Sequence, residues 1–124
     1  MQTKLKIESF PNPLLFGDKD KLFEAISNIL ENALKYGDRK NIRMGFFAED
    51  NCEIIKISNS GSDIPNSEIN HVFESFWRGK NAIGKEGNGL GLYIAREILR
   101  KMDGDIYISK EENLISFNLV IKKV

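Results

Sequence analysis

The stretch SNILENALKYGD, Ser27 to Asp38, reads as the second half of a helix, yet it carries Asn28 and Asn32 one turn apart, then Lys35 and Tyr36. Asparagine is a poor helix-interior residue, because its amide competes for backbone hydrogen bonds. The surrounding pattern is nonetheless helical. Asp18 supplies an N-cap, Gly37 a stop after Tyr36, and Leu22, Ile26, Ile29, Leu30 and Ala33 recur as a core-facing stripe. At about 100° per residue, Glu24, Asn28, Asn32 and Lys35 share one side, with Tyr36 at its margin. The stripe centred on Ile26, Ile29 and Ala33 is expected roughly opposite.

Two readings of the polar side stay open on spacing alone. One is a solvated surface. The other is a metal–phosphate face, since amide oxygens are hard ligands suited to Mg²⁺, which takes few protein ligands and keeps its waters and substrate phosphates. A lysine one turn further on meets a phosphate as a point charge.

The remaining composition narrows the function classes. With 124 residues, 41% hydrophobic and 29% charged, the chain is expected to form one soluble globular domain over residues 1–124. Lys+Arg and Asp+Glu are equal at 18 each, so no global field draws it to nucleic acid or to an anionic membrane, and neither is expected as a partner. No apolar run approaches the roughly 20 residues of a membrane span, and MQTKLKIESF lacks the apolar core of a signal peptide. Cys52 is the only cysteine, which excludes an internal disulfide and a cysteine-based metal site. A cytoplasmic setting is the simplest expectation. The chain opens on an apparent strand, which suggests a piece of something longer.

Along the chain, KLKIE (4–8) alternates as a half-buried strand, and LLF (14–16) suggests a short second one. IRMGFFAE (42–49) and CEIIKISNS (52–60) predict a hairpin around Asp50-Asn51. SEINHVFESF (67–76) predicts a helix with Ile69, Val72, Phe73 and Phe76 on one face. Residues 77–89 predict a mobile glycine-rich loop. A helix is expected over Leu90–Met102, with Ile94, Ala95, Ile98, Leu99 and Met102 as its stripe. DIYISK (105–110) and LISFNLVIKK (114–123) predict a second hairpin around Glu112-Asn113. Hairpins outnumber strand–helix–strand crossovers, so the expected fold is α+β. It is a two-layer sandwich: a mixed, mostly antiparallel sheet of about five strands, with about three helices on one face.

Three further segments bear on the polar helix. In ISNSGSDIP (57–65) a strand ends at Asn59, followed by Gly61 and Ile64; an asparagine there can pair with a base edge while Ile64 offers apolar surface to a ring, or the segment is an ordinary turn. In FESFWRG (73–79), Phe73 and Phe76 are packing candidates, and Arg78 either reaches an anionic ligand or is solvated. In GKEGNGLGLYIA (84–95), glycines 87, 89 and 91 lead into a helix, so backbone N–H groups can approach a polyphosphate at a helix N-terminus. This run is neither the G-x-x-x-x-G-K-[ST] loop nor a dinucleotide fingerprint after a strand, and a flexible lid also accounts for it.

Together and in this order, these segments resemble the ATP-binding catalytic domain of sensor histidine kinases, from about Asp18 to the last strand. That domain belongs to the superfamily of DNA gyrase, heat-shock chaperone and mismatch-repair ATPases. DKDKLFEAISNILENALKYGD looks like the family's asparagine box, ISNSGSDIP its first glycine box, FESFWR its phenylalanine box and GNGLGLYIA its second glycine box. The resemblance implies ATP and Mg²⁺ as cofactors, with Asn32 as metal ligand and Asn28 one turn earlier on the same face. It implies Lys35 on a phosphate, Tyr36 lining the pocket, and Asn59, Gly61 and Ile64 at the adenine. Phe76 and Arg78 would close the phenylalanine box, with the arginine near the γ-phosphate and Lys80 and Lys85 further along the lid. Gly87, Gly89, Leu90, Gly91 and Leu92 would form the lid hinge and helix start.

The implied activity is transfer of the γ-phosphate to a histidine on a separate dimerisation domain, with a response regulator downstream and catalytic roles for Asn28, Lys35 and Arg78. That phosphoacceptor domain is absent from this sequence, and His71, inside the phenylalanine-box segment, is expected to be a surface or packing residue. Two positions depart from the pattern: Asn59 stands where an aspartate is usual, and Asp63 where a second glycine is common. Those departures keep a degenerate nucleotide-sensing or docking module as an alternative. A hydrolytic ATPase of the gyrase type is disfavoured, because Asn28 occupies the position of the glutamate base. A serine kinase of the anti-sigma type is disfavoured by FESFWR.

Overall fold

The computed structural model describes residues 5–7, 19–61, 64, 66–74 and 90–122. In order these form β1 (Leu5–Ile7), α1 (Lys19–Tyr36), β2 (Ile42–Glu49), β3 (Cys52–Ser60), a single 3₁₀ turn (Ile69–His71), α2 (Gly91–Lys101), β4 (Asp105–Glu111) and β5 (Leu114–Lys122). The expected strand at 14–16 and the Asp18 cap lie outside the described residues.

Both expected hairpins form. Asp50-Asn51 and Glu112-Asn113 are two-residue turns, with Glu49 paired to Cys52 and Glu111 to Leu114. Asp50 and Glu112 take φ of 49° and 44°, the positive-φ entry that suits the right-handed twist of flanking strands. The sheet order is β1-β2-β3-β5-β4. β1 runs parallel to β2 and every other pairing is antiparallel. The chain is therefore the expected α+β sandwich with a mixed, mostly antiparallel five-stranded sheet.

Alternate strand residues supply the core. Ile55 and Ile57 of β3, Ile106 of β4, and Ile115, Phe117, Leu119 and Ile121 of β5 join Ala25 and Ile29 of α1 and Leu92, Ala95, Ile98 and Leu99 of α2 in one buried cluster. On the opposite face of the sheet, Lys56 Nζ donates to Glu111 Oε1 at 2.8 Å. By register this pair spans the row where Ser58 lies beside Ser116, and those two buried hydroxyls bond each other at 2.7 Å.

Three sequence expectations are corrected. The helix expected over 67–76 is not continuous: residues 66–74 hold only the Ile69–His71 turn, with His71 N–H bonding Glu68 O and Glu74 N–H bonding His71 O. Val72 and Phe73 are buried, so the apolar spacing that mimics a helix serves to anchor a short turned segment. Ile94 is 37% exposed; the stripe runs through Leu92, Ala95, Ile98, Leu99 and Met102, and Ile94 lies roughly 100° around the helix from its centre. On α1 the buried line is Ala25, Ile29 and Ala33. Asn28 and Asn32 lie roughly 100° and 60° from it, beside the core face and not opposite to it.

Candidate functional site

That adjacency shapes the site. Asn28, Asn32, Lys35 and Tyr36 are all half-buried, because the polar side of α1 sits on the shoulder of its core face. The two carboxamides follow one another at i, i+4, the spacing at which helix side chains stand one above the other. Lys35 Nζ pairs with Glu31 Oε1 at 3.1 Å. Such exposed i, i+4 pairs contribute only about 0.3–0.5 kcal/mol, so this one does little to fix the lysine.

The end of α1 meets the end of β3. Gly37 N–H makes the last helical bond, to Ala33 O at 3.0 Å, and Asp38 N–H then donates to Ser60 O at 3.0 Å. A Cβ on Gly37 would sit 2.7 Å from Asn59 Nδ2 and 2.8 Å from Ser60 O, so only glycine lets the helix end rest on these residues. Asn59 is 1% exposed, and its Nδ2 donates to Ser60 O at 3.3 Å. Gly61 takes φ 82°, in the region open to glycine. The Asp38 carboxylate accepts from Ser60 Oγ at 2.6 Å and from Lys40 N–H at 2.9 Å. The Ser60 hydroxyl first, then the Lys40 N–H, hold its carboxyl below the ordinary range.

Ile64 is buried in the common core, as is Leu92 at the start of α2, while Leu90 is half-buried just before it. α2 turns into β4 through Met102–Gly104, and β4 begins at Asp105, paired with Val120. β3 residue Ile54 pairs with that same Val120, at the end of the sheet away from Asn59. With 11 residues, α2 is about 16 Å long. Its middle is tied down by Arg96, whose Nε donates to Asp105 Oδ1 at 2.9 Å and whose guanidinium lies 4.7 Å from the Phe73 ring centroid. Phe73 in turn packs edge-on against Phe117, as its spacing predicted.

The structure thus brings together the ends of two predicted motifs, Asn32–Asp38 and Asn59–Gly61, and sets the third, Leu90–Leu92, at the head of α2. Phe76, Arg78, Gly87 and Gly89, with Asp63, Lys80 and Lys85, lie outside the described residues. Asp38 and Ser60 were not singled out from the sequence. Their only signal was being polar residues flanking a helix stop and a strand end. Among the described residues no group of three or more His, Cys, Asp or Glu side chains is placed to hold a metal. α1 instead offers the amide oxygens of Asn28 and Asn32, hard donors of the kind that suit a cation held mainly by its waters and by ligand phosphates, and a lysine whose charge suits phosphate and not the cation.

The comparisons place this fold among nucleotide-binding catalytic domains. The profile of the histidine kinase-, DNA gyrase B-, and HSP90-like ATPases matches residues 17–122, and the chain belongs to that family, as an ATP-binding catalytic domain of the histidine kinase type. It is 36% identical over 107 residues to the sensor protein VanS of Enterococcus faecium, covering 83% of this chain and 27% of VanS. It is 32% identical over 114 residues to VanSC of Enterococcus gallinarum, covering 90% of this chain and 32% of that protein. The chain therefore spans about a third or less of these relatives. Among solved structures it is similar to the mycobacterial sensor histidine kinase MprB, with TM-score 0.81 and 26% identity over 96% of this chain and 84% of that one. It is also similar to the nucleotide-free catalytic domain of histidine kinase ThkA, with TM-score 0.82 and 25% identity, covering 98% and 79%. No helix among the described residues is long and apolar enough to cross a membrane.

Proposed function

We propose that this domain binds Mg²⁺-ATP and donates the γ-phosphate to a histidine on a separate dimerisation domain, as the cytoplasmic catalytic part of a two-component sensor kinase with a response regulator downstream. The observation that carries the reading is the half-buried amide side of α1 on a helix whose C-terminal end is laid against the buried Asn59 at the end of β3. A bound Mg²⁺ would offset the charge that develops on the phosphate in a loose, metaphosphate-like transition state. The protein's part is to position and to supply fixed charge.

In this reading Asn32, with Asn28 one turn before it, holds the cation by its amide oxygen. Lys35 leaves Glu31 for a phosphate oxygen, and Tyr36 walls the pocket. Asn59 Oδ1 accepts from the adenine amino group, with Gly61 and Ile64 shaping the base pocket. Phe76 and Arg78 close the phosphate end, and the Gly87–Leu92 segment covers it. Asn28 has no basic lone pair to activate water, which favours transfer to an external histidine over hydrolysis.

The test is calorimetric titration with a non-hydrolysable ATP analogue, with and without Mg²⁺, on the parent chain and Asn32→Ala. Binding that requires Mg²⁺ and is lost in the variant supports the reading, and saturation near 100 Kd then adds roughly 2.7 kcal/mol of stability. Labelled ATP with an added histidine-bearing dimerisation domain then reports transfer. Absence of heat and of thermal shift at millimolar nucleotide overturns the catalytic reading and leaves a docking module.

A further inference from the structure

Asparagine at position 59 poses a problem that an aspartate would not. Its amide has an acceptor end and a donor end, so it can turn to satisfy either of two bases: adenine presents an amino donor at its six-position, and guanine a carbonyl acceptor at the same place. Something must hold one end inward. In this structure Nδ2 donates to Ser60 O, so the donor end of the amide is turned to that carbonyl and Oδ1 is the opposite end.

The Ser60 carbonyl is itself held. It also accepts the Asp38 N–H at 3.0 Å, and Ser60 N–H donates to Asn41 O at 3.1 Å. The Ser60 hydroxyl is clamped by the Asp38 carboxylate at 2.6 Å, and that carboxylate is steadied by the Lys40 N–H at 2.9 Å. Glycines close the packing on both sides: Gly37 lies against Asn59 Nδ2, and Gly61 against Asp38, with no room for a Cβ at either. Asp38 is exposed, so it contributes little to the core, and its bonds go to this corner.

We propose that Asp38 and Ser60 form a latch that locks the Asn59 amide with its oxygen toward the base, which makes Asp38 a positioning residue for adenine over guanine specificity. The inference rests on the reading of Asn59 as the base-facing residue. Without the latch the Ser60 side chain is untied from Asp38 while its backbone bonds remain, the neighbouring amide gains freedom to turn, and a guanine carbonyl becomes acceptable. The discriminating quantity is therefore the ratio of ATP to GTP affinity, which a role confined to stability leaves unchanged.

The experiment is calorimetric competition of Mg²⁺-ATP and Mg²⁺-GTP analogues against the full chain, Asp38→Ala, Asp38→Asn, Ser60→Ala and the Asp38→Ala/Ser60→Ala pair, each checked by melting temperature. Loss of the part-buried, charge-assisted Ser60 Oγ–Asp38 bond is expected to shrink the ATP preference about tenfold in Asp38→Ala and Ser60→Ala. The double variant should be no worse than either single one, because the two residues act as one unit. Asp38→Asn retains an oxygen for Ser60 Oγ and should retain the preference. The proposal is overturned if folded Asp38→Ala and Ser60→Ala keep the parent ratio, or if they lose ATP and GTP affinity equally. A parent chain that binds ATP and GTP alike overturns it as well, whereas a parent chain that binds neither overturns the nucleotide reading beneath it.

Discussion

Replacing Gly61 by alanine tests the close packing of the two motif ends, and its cost can be worked out from the structure. The residue has φ 82°, a conformation that costs an L side chain about 1–2 kcal/mol. A Cβ there would lie 2.5 Å from both Asp38 N and Asp38 Cβ. The Asp38 backbone cannot retreat freely, because its N–H is bonded to Ser60 O and its carboxylate to Ser60 Oγ. Relief of the clash breaks one or both bonds, at about 1 kcal/mol each. The total is about 2–4 kcal/mol, which at roughly 2.1 cal/mol/K of unfolding entropy per residue lowers the Tm of a chain this size by about 8–15 °C. Gly91 provides the control. Among the described residues nothing lies within 4 Å of a Cβ there, and it opens α2, so alanine should leave Tm unchanged or raise it by up to about 4 °C through helix propensity. Thermal melts of the two variants beside the parent chain decide the matter. If Gly61→Ala melts within about 3 °C of the parent, or if Gly91→Ala falls as far as Gly61→Ala, the Asp38–Gly61 contact does not constrain this corner.

Two further predictions follow from the ion pairs. Partial burial pushes the Asp105 carboxyl up, but the Arg96 hydrogen bond, the Ile106 N–H and the charges of Arg96 and Arg100 outweigh it and hold the group below the usual carboxylate range. A lowered folded pKa stabilises above the unfolded value and is lost as pH falls through the folded one, so Asp105→Asn should lower the urea midpoint at pH 7, where that stabilisation is fully present, and flatten the acid-side decline below about pH 4, where the two chains converge. His71 is 54% exposed and pairs only with Glu74, at 2.6 Å, among the described residues. His71→Ala should therefore shift stability by no more than about 0.5 kcal/mol and leave labelling of an added acceptor domain intact; disappearance of a phosphohistidine signal from this chain on that substitution would refute its structural role.

Much of this molecule was legible in order of residues alone. The span of α1, both hairpins and their two-residue turns, the place of α2 and the α+β class are local matters, set by the period of apolar residues, by turn dipeptides and by helix stops. The same holds for the motif set that marks the family, since each box is a short run whose chemistry is carried by neighbours in sequence. What periodicity cannot report is which neighbour a residue finds across the fold. Residues 67–74 have helical spacing, yet Val72 and Phe73 are claimed by the core and by Arg96, which leaves a 3₁₀ turn. Ile94 fits an apolar stripe but falls outside the arc that α2 turns toward the sheet. Asn28 and Asn32 are on one side of α1 by simple geometry, but only packing puts that side on the shoulder of the core, where amides are half-buried. Gly61 and Gly91 look alike as box glycines, and only the approach of Asp38 makes one of them sterically required. The contact between Asp38 and Ser60 joins residues that sequence spacing leaves unrelated, because it exists only when the end of a helix is laid against the end of a strand.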